Sequence, residues 1–263
     1  MTERQSEFKV LVTRPQHQGE SLCADIERIG ARAINFPLIE IVSLTENRET
    51  VRHLSENPDC DLLIFISQNA VAHAVDMLGG DISHIADLPI YAIGQATARM
   101  LHQAGIKQVH APATGSDSES LLKLPDLQAN QINAKKITII RGHGGREYLA
   151  DTLRERGAEV NYVEVYHRKP AVYDQAMLEK IFGVDKPDLI VITSGESLQI
   201  LFDMLISGGK HDMLTTPLVL LGKRMSELAD SLGFSGKRLI ADEASDTGLT
   251  IAVKKLMELT RNE

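Results

Sequence analysis

The chain has 263 residues, of which 43% are hydrophobic and 24% are charged; this composition is typical of globular proteins with a sizeable core. Its formal net charge is −8, which argues against nucleic acid or an anionic membrane surface as a partner, because both attract a basic face. Cys23 and Cys60 have neither metal-binding nor disulfide spacing, so we expect free thiols in a reducing compartment. No signal-peptide pattern and no membrane-spanning apolar run occurs, and we therefore expect a soluble, cytoplasmic protein.

Short apolar runs alternate with segments of helical periodicity along the chain. The runs predict strands of a parallel sheet covered on both faces; in chain order they are VLVT, LLIFIS, IYAIG, ITII, LIVITS and LVLLG. Helices with one apolar face are predicted at two places, by Val71, Ala74, Val75 and Leu78 and by Leu198, Leu201, Phe202 and Leu205. Four glycines predict helix C-termini, namely Gly30, Gly105, Gly157 and Gly233. The alternation predicts the α/β class, with doubly wound parallel sheets.

An internal repeat relates the two halves of the chain. At a shift of 127 residues, Val10–Arg14 matches Ile137–Arg141 and Asp61–Ser67 matches Asp188–Ser194. At a shift of 128, Pro89–Gly94 matches Pro217–Gly222. Three blocks in the same order indicate duplication of one unit, so we expect two similar α/β domains.

Ligands of such sheets bind at the carboxyl ends of the strands. The segments expected there are Thr13-Arg14, 67–69, 94–97, 141–146, 193–195 and 222–224, and two copies facing each other would line a cleft. Phosphate-loop, dinucleotide, nucleophile-elbow and HExxH motifs are all missing, and the histidines lack metal-ligand spacing. We therefore expect no cofactor and no metal.

Motifs spread along the chain resemble those of the uroporphyrinogen-III synthase family. They are LVTRP at 11–15, FPLIE at 36–40, SQNAV at 67–71, AIG at 92–94 followed by Thr97-Ala98, RGHGGRE at 141–147, GAEV at 157–160, YHR at 166–168 and Thr193-Ser194. The resemblance implies two α/β lobes, residues 1–37 with 169–263 and residues 38–168, joined by a two-stranded hinge with a cleft between them.

The resemblance also implies a lyase reaction, in which linear hydroxymethylbilane is cyclised to uroporphyrinogen III with loss of water and inversion of ring D. Tyr166 matches the tyrosine that the family places in the cleft, whereas the equivalent residue of the other half is Ile39. Its phenol could give a proton to the departing hydroxyl. The expected contacts of the polycarboxylate substrate are Arg14, Ser67, Gly94, Thr97, Arg141, Gly144, Arg146, Thr193, Ser194 and Lys223.

Several alternatives remain open at the level of sequence. Tyr166 is otherwise a half-buried strand residue, Arg14 and Arg141 are salt-bridge residues, and Arg146 is a solvated one. The Ser and Thr residues are equally good helix caps. The whole chain could be a non-catalytic, two-lobed small-ligand (tetrapyrrole-like) binding or sensor protein. We expect a monomer, and the sequence leaves open a transient contact with the enzyme that supplies hydroxymethylbilane.

Overall fold

A computed structural model describes residues 7–44 and 59–261. Ten strands lie within those residues: β1 (Lys9–Val12), β2 (Arg32–Asn35), β3 (Ile39–Ser43), β4 (Leu62–Phe65), β5 (Ile90–Ala92), β6 (Lys136–Gly142), β7 (Glu159–Pro170), β8 (Leu189–Ile192), β9 (Leu218–Leu220) and β10 (Arg238–Ile240). Each predicted apolar run overlaps one of them.

Helices follow most of the strands. The same residues contain ten α-helices: α1 (Gln16–Arg28), α2 (Gln68–Met77), α3 (Gln95–Gln103), α4 (Ser118–Leu121), α5 (Ala129–Ile132), α6 (Tyr148–Glu155), α7 (Gln175–Glu179), α8 (Gly195–Ser207), α9 (Lys223–Ser231) and α10 (Asp246–Arg261). Shorter helical turns cover Ser83–Ile85, Pro125–Leu127, Lys180–Val184 and His211–Thr215. No helix in the described part of the chain is long and apolar enough to span a membrane.

The chain divides into two compact units. Among the described residues, unit 1 comprises 7–40 and 169–261, and unit 2 comprises 41–44 and 59–168. Unit 1 contains a five-stranded parallel sheet in the order β10-β9-β8-β1-β2. Its core covers both faces of the sheet, with Leu11 and Ile190 packed on one side and Val10 and Leu189 on the other.

The second sheet has the order β3-β7-β6-β4-β5. Strands β7, β6, β4 and β5 are parallel, and Tyr91 of β5 forms a further parallel bridge with His110. At the opposite edge the Leu44 N–H donates to the Val165 carbonyl. Two apolar clusters cover the faces of this sheet, with Phe65 in one and Ile64 in the other.

The duplication predicted from sequence is confirmed by the positions of the elements. A shift of 127 residues carries β4 onto β8, and a shift of 128 carries β5 onto β9 and α3 onto α9. The α/β class with two predominantly parallel sheets is confirmed as well. Each of the four predicted terminal glycines follows a helix and has a φ between 83° and 96°. Glycine adopts this left-handed conformation with little strain, which is why it is common at helix ends. The two cysteines are half-buried free thiols, as expected.

A substitution in the amphipathic helix α8 tests how much of the stability of unit 1 depends on its core. Leu201 is fully buried, whereas Leu259 of α10 is 49% exposed. We expect Leu201→Ala to lower the free energy of unfolding by roughly 2–5 kcal/mol, because it leaves a cavity. The matched change Leu259→Ala should cost less than about 1 kcal/mol. Urea denaturation of both variants provides the measurement, and equal losses would contradict this description of the core.

Candidate active site

The pairing of β6 with β7 places Tyr166 at the carboxyl end of the second sheet. The register shifts between Arg141 and Gly142, so that Gly142 pairs with Tyr166. The Tyr166 ring lies directly over Gly142, where a Cβ atom would be only 2.5 Å from the ring carbon Cζ. The next residue, His143, donates its N–H to the Tyr166 carbonyl at 2.7 Å. The segment after β6 is therefore fixed against Tyr166 by its backbone.

The phenol of Tyr166 meets a serine hydroxyl at the start of α2. Tyr166 is 5% exposed, and its hydroxyl lies 3.3 Å from Ser67 Oγ. Ser67 is also the N-cap of α2, since its Oγ accepts the Ala70 N–H at 3.0 Å. The two roles that the sequence left open for Ser67, helix cap and polar contact in the site, are thus compatible.

A pocket of about 250 Å³ opens beside Tyr166. It lies entirely within unit 2 and is lined by Ile66, Ile93, Ser116, Asp117, Ser118, Ile139, Arg141, Gly142, Gly144, Gly145, Arg146, Leu149, Ala150, Tyr162, Tyr166 and Arg168. Three arginines and one aspartate contribute to this lining, so cationic side chains predominate although the whole chain is acidic. Arginine suits carboxylate ligands because its planar donors match the two oxygens.

Arg141 is the most enclosed of the three arginines, with 3% of its side chain exposed. Its guanidinium donates to the Gly142 carbonyl at 3.2 Å, to Glu147 Oε1 at 2.9 Å and to the Gly144 carbonyl. It also stacks on the Tyr162 ring, 4.5 Å from the ring centre. Three hydrogen bonds of its guanidinium therefore go to residues 142–147. This agrees with the alternative that Arg141 is a salt-bridge residue.

Glu147 and Tyr162 complete this arrangement. The Tyr162 hydroxyl donates to Glu147 Oε2, while Glu147 Oε1 accepts from Arg141. The hydrogen bond from Tyr162 and the nearby Arg141 guanidinium lower the pKa of the Glu147 carboxyl. Burial and the adjacent carboxylate raise the pKa of Tyr162, so the phenol remains the donor at neutral pH.

Arg146 and Gly144 occupy the outer part of the pocket. The Arg146 side chain is 64% exposed, forms an ion pair with Glu119 Oε1 at 2.6 Å and lies over the Tyr148 ring. Gly144 has φ 71°, and its carbonyl is held by Arg141. Arg146 is thus the more accessible cation, because an exposed ion pair is weak and easily exchanged for a ligand.

Gly94 and Thr97 belong to α3. Gly94 is the N-cap, and a Cβ atom there would lie 2.7 Å from Ser116 Cβ. Thr97 lies within the helix and is 3% exposed. The alternative that Thr97 caps a helix is therefore wrong, because Gly94 occupies that position.

The remaining predicted residues lie in unit 1, after β1, β8 and β9. Arg14 forms an ion pair with Asp246, the first residue of α10. Ser194 caps α8 through the Ser197 N–H at 3.1 Å, so a capping role for Thr193 is wrong. Lys223 is the exposed first residue of α9. Parallel pairing of the three strands puts these segments at one edge of the sheet.

Sequence reasoning assigned no role to Arg168, which lines the pocket, nor to three other residues in or beside the pocket. Tyr162 and Asp117 line it, and Glu147 bridges Arg141 to Tyr162. Tyr162 carried a usable signal, since its equivalent in the first half of the repeat is Asn35. Like Tyr166, Tyr162 is thus a phenol at a position where the two halves differ. Asp117 carried none, because it lies in a polar segment that suggested only a loop.

Comparison with known proteins decides the family. The family model described as uroporphyrinogen-III synthase HemD matches residues 20–250. The chain belongs to the uroporphyrinogen-III synthase family. It is therefore an enzyme of porphyrin biosynthesis, as the sequence motifs implied.

Individual members of the uroporphyrinogen-III synthase family agree with this assignment. The synthase of Escherichia coli is 36% identical over 249 residues, which cover 94% of this chain and all of that one. A solved synthase from Helicobacter pylori aligns with a TM-score of 0.62 at 14% identity, covering 96% of this chain and 99% of that one. A mutant synthase from Thermus thermophilus aligns with a TM-score of 0.58 at 20% identity, covering 97% of this chain and 100% of that one. The two solved structures support the fold.

The lowered pKa of Glu147 predicts a pH-dependent contribution to stability. A carboxyl whose pKa is depressed in the folded protein stabilises it above the unfolded value, and loses this effect as pH falls through the folded value. Unfolding free energies of the wild type and Glu147→Gln should therefore differ by a constant amount above about pH 5 and converge below about pH 4. Urea denaturation across this range measures the difference, and a gap that persists at low pH would contradict the assignment.

Proposed function

We propose that the chain converts linear hydroxymethylbilane into uroporphyrinogen III, with loss of water and inversion of ring D. The observation that carries this proposal is the position of the Tyr166 phenol in a pocket lined by Arg141, Arg146 and Arg168. A polycarboxylate substrate needs cationic partners, and the reaction needs a proton donor at the departing hydroxyl. Both types of group line one pocket of this acidic chain.

Tyr166 is the proposed proton donor. The pyrrole nitrogen of ring A expels the hydroxyl, and the phenol protonates it, so that water leaves and an electrophilic azafulvene remains. Ring D attacks the methylene carbon of the azafulvene through its substituted α-carbon, which gives a spiro intermediate. The bond between ring D and its original bridging carbon then breaks, and that carbon bonds to the other α-carbon of ring D, so that the ring is inverted. Ser67 Oγ, 3.3 Å from the phenol oxygen, helps to hold the hydroxyl in place.

The pocket of unit 2 takes only a part of the substrate. Its volume of about 250 Å³ is below the usual range for a drug-sized ligand, and a linear tetrapyrrole is larger still. We assign to it one pyrrole ring and its carboxylate arms, with Arg146 as the accessible cation. Unit 1 offers a second set of contacts at its own sheet edge, through Arg14, Thr193, Ser194 and Lys223. The common task of these groups is orientation, because the substrate cyclises without ring inversion when unassisted.

The domain organisation, oligomeric state and location of the protein are part of the same proposal. We propose that units 1 and 2 fold as separate domains and that the protein acts as a cytoplasmic monomer. The half-buried free thiols of Cys23 and Cys60 suit a reducing compartment. An unstable substrate favours transient contact with the enzyme that produces it.

The isomers formed from fresh hydroxymethylbilane test this function. The purified protein should yield mostly uroporphyrin III after oxidation, whereas a protein-free control yields isomer I. Chromatographic separation of the two isomers measures the ratio. Isomer I at the rate of the control would refute catalysis and leave a binding protein.

Tyr166→Phe tests the proton donor separately. We expect the rate of isomer III formation to fall by roughly tenfold to a hundredfold, because general acid catalysis is lost while the leaving group remains activated by the pyrrole. Tyr173→Phe is the matched control, since the Tyr173 hydroxyl donates to the Pro37 carbonyl in unit 1. An unchanged rate for Tyr166→Phe would remove the phenol from the mechanism.

A further inference from the structure

The segment that forms one wall of the pocket depends on Glu147, whose side chain does not itself line the pocket. Residues 142–147 run from the last residue of β6 to the residue before α6, and three of them, Gly142, Gly144 and Gly145, are glycines. A segment so rich in glycine has a large conformational entropy to lose on folding. Its position must therefore be fixed by specific contacts.

At one end, the segment is fixed by the backbone. Gly142 pairs with Tyr166, and His143 donates its N–H to the Tyr166 carbonyl at 2.7 Å. Beyond His143 the contacts come largely from side chains. Glu164 accepts the Gly144 N–H at 3.4 Å, a long hydrogen bond, while Arg141 donates to the Gly144 carbonyl. Glu164 also bonds His143 Nδ1 at 2.7 Å, but its side chain is 33% exposed whereas that of Arg141 is 3% exposed, so Arg141 is the enclosed anchor of this part of the wall.

Arg141 in turn is held by two residues. Glu147 accepts from its guanidinium at 2.9 Å, and Tyr162 supplies the aromatic face on which it stacks at 4.5 Å. The Tyr162 hydroxyl donates to the other oxygen of Glu147. The three side chains thus form a closed set, in which the loss of any one removes two of the three contacts.

A second guanidinium on the Tyr162 ring strengthens this arrangement. Arg154 of α6 also lies over the Tyr162 ring, 5.6 Å from its centre. Tyr162 therefore cannot turn its hydroxyl away from Glu147 without losing contact with two guanidinium groups. This rigidity distinguishes the set from a chance surface ion pair.

We infer that Glu147 and Tyr162 are positioning residues of the cyclisation: they hold Arg141, and through it the wall 142–145, in the shape that binds the carboxylate arms beside Tyr166. The inference rests on the proposed function. Arg141 then acts mainly as the anchor of the wall, and Arg146 and Arg168 face the substrate. Loosening the wall weakens binding of the substrate and of the transition state alike, which raises KM more than it lowers kcat.

Glu147→Ala and Tyr162→Phe test the inference together. We expect Glu147→Ala to raise KM for hydroxymethylbilane by about threefold to tenfold with kcat changed by less than about twofold, and to increase the share of isomer I at low substrate. Tyr162→Phe should give a smaller rise, since the ring still supports Arg141. The double variant should be no worse than Glu147→Ala alone, because both changes open the same set. Glu147→Gln keeps an acceptor for Arg141 and should recover part of the loss.

Glu155→Ala provides the matched control, because Glu155 is an exposed residue of the same helix. It should leave KM and kcat at their wild-type values. A KM for Glu147→Ala equal to that of the wild type, or an equal rise in Glu155→Ala, would overturn the inference. A fall in kcat at constant KM would overturn it too, since the residue would then act on the chemical step.

A measurement without substrate separates this inference from the proposed function. The Gly144 amide, bonded to Glu164 in the residue whose carbonyl Arg141 holds, should exchange its proton faster in Glu147→Ala than in the wild type or Glu155→Ala, as measured by NMR. If the wild type forms no isomer III, the proposed function fails while this exchange still tests the contacts. Unchanged exchange in Glu147→Ala and in Tyr162→Phe would refute the positioning role even in an active enzyme. Should Glu147→Ala fail to fold, Glu147→Gln and Tyr162→Phe carry the same test.

Discussion

In the sheet of unit 2, the end of β6 passes directly beneath the ring of Tyr166, and most features of the site depend on this contact. Only a glycine at position 142 leaves room for the ring. The register shift between Arg141 and Gly142 brings Gly142 opposite Tyr166 and turns the following segment toward the ring. The pocket, its arginines and the phenol are neighbours because the pairing of these two parallel strands ends at Gly142 and Tyr166.

The charge of the side chains around the pocket is opposite to the net charge of the whole chain. The chain has a net charge of −8, yet the pocket beside Tyr166 is lined by three arginines and a single aspartate. The arginines differ in their surroundings. Arg141 is buried and satisfied by the protein itself, whereas Arg146 is exposed and has an exchangeable partner in Glu119. An anionic substrate can therefore be bound by an acidic protein, with some cations holding the site together and others meeting the ligand.

The two copies of the duplicated fold differ at residues that form the pocket. A shift of 127 residues carries the first residues of β1, β2 and β4 onto those of β6, β7 and β8, because the apolar runs of the two halves are equivalent. Tyr166 and Tyr162 have Ile39 and Asn35 as counterparts. The second half therefore has a phenol above Gly142 and a second phenol beneath Arg141, and Gly142 itself has Pro15 as its counterpart.

The sequence by itself determined six of the ten described strands, two amphipathic helices, the repeat and the family, because apolar runs, periodicity and motifs are local properties of the chain. It also singled out Tyr166. Only the tertiary structure decided which side chains meet: Arg14 pairs with Asp246, and Arg141 is held by Glu147 and Tyr162. Such pairs depend on strand register and on the direction of each side chain, and a linear pattern records neither of them. Tertiary packing therefore determined that Arg141 supports the wall of the pocket.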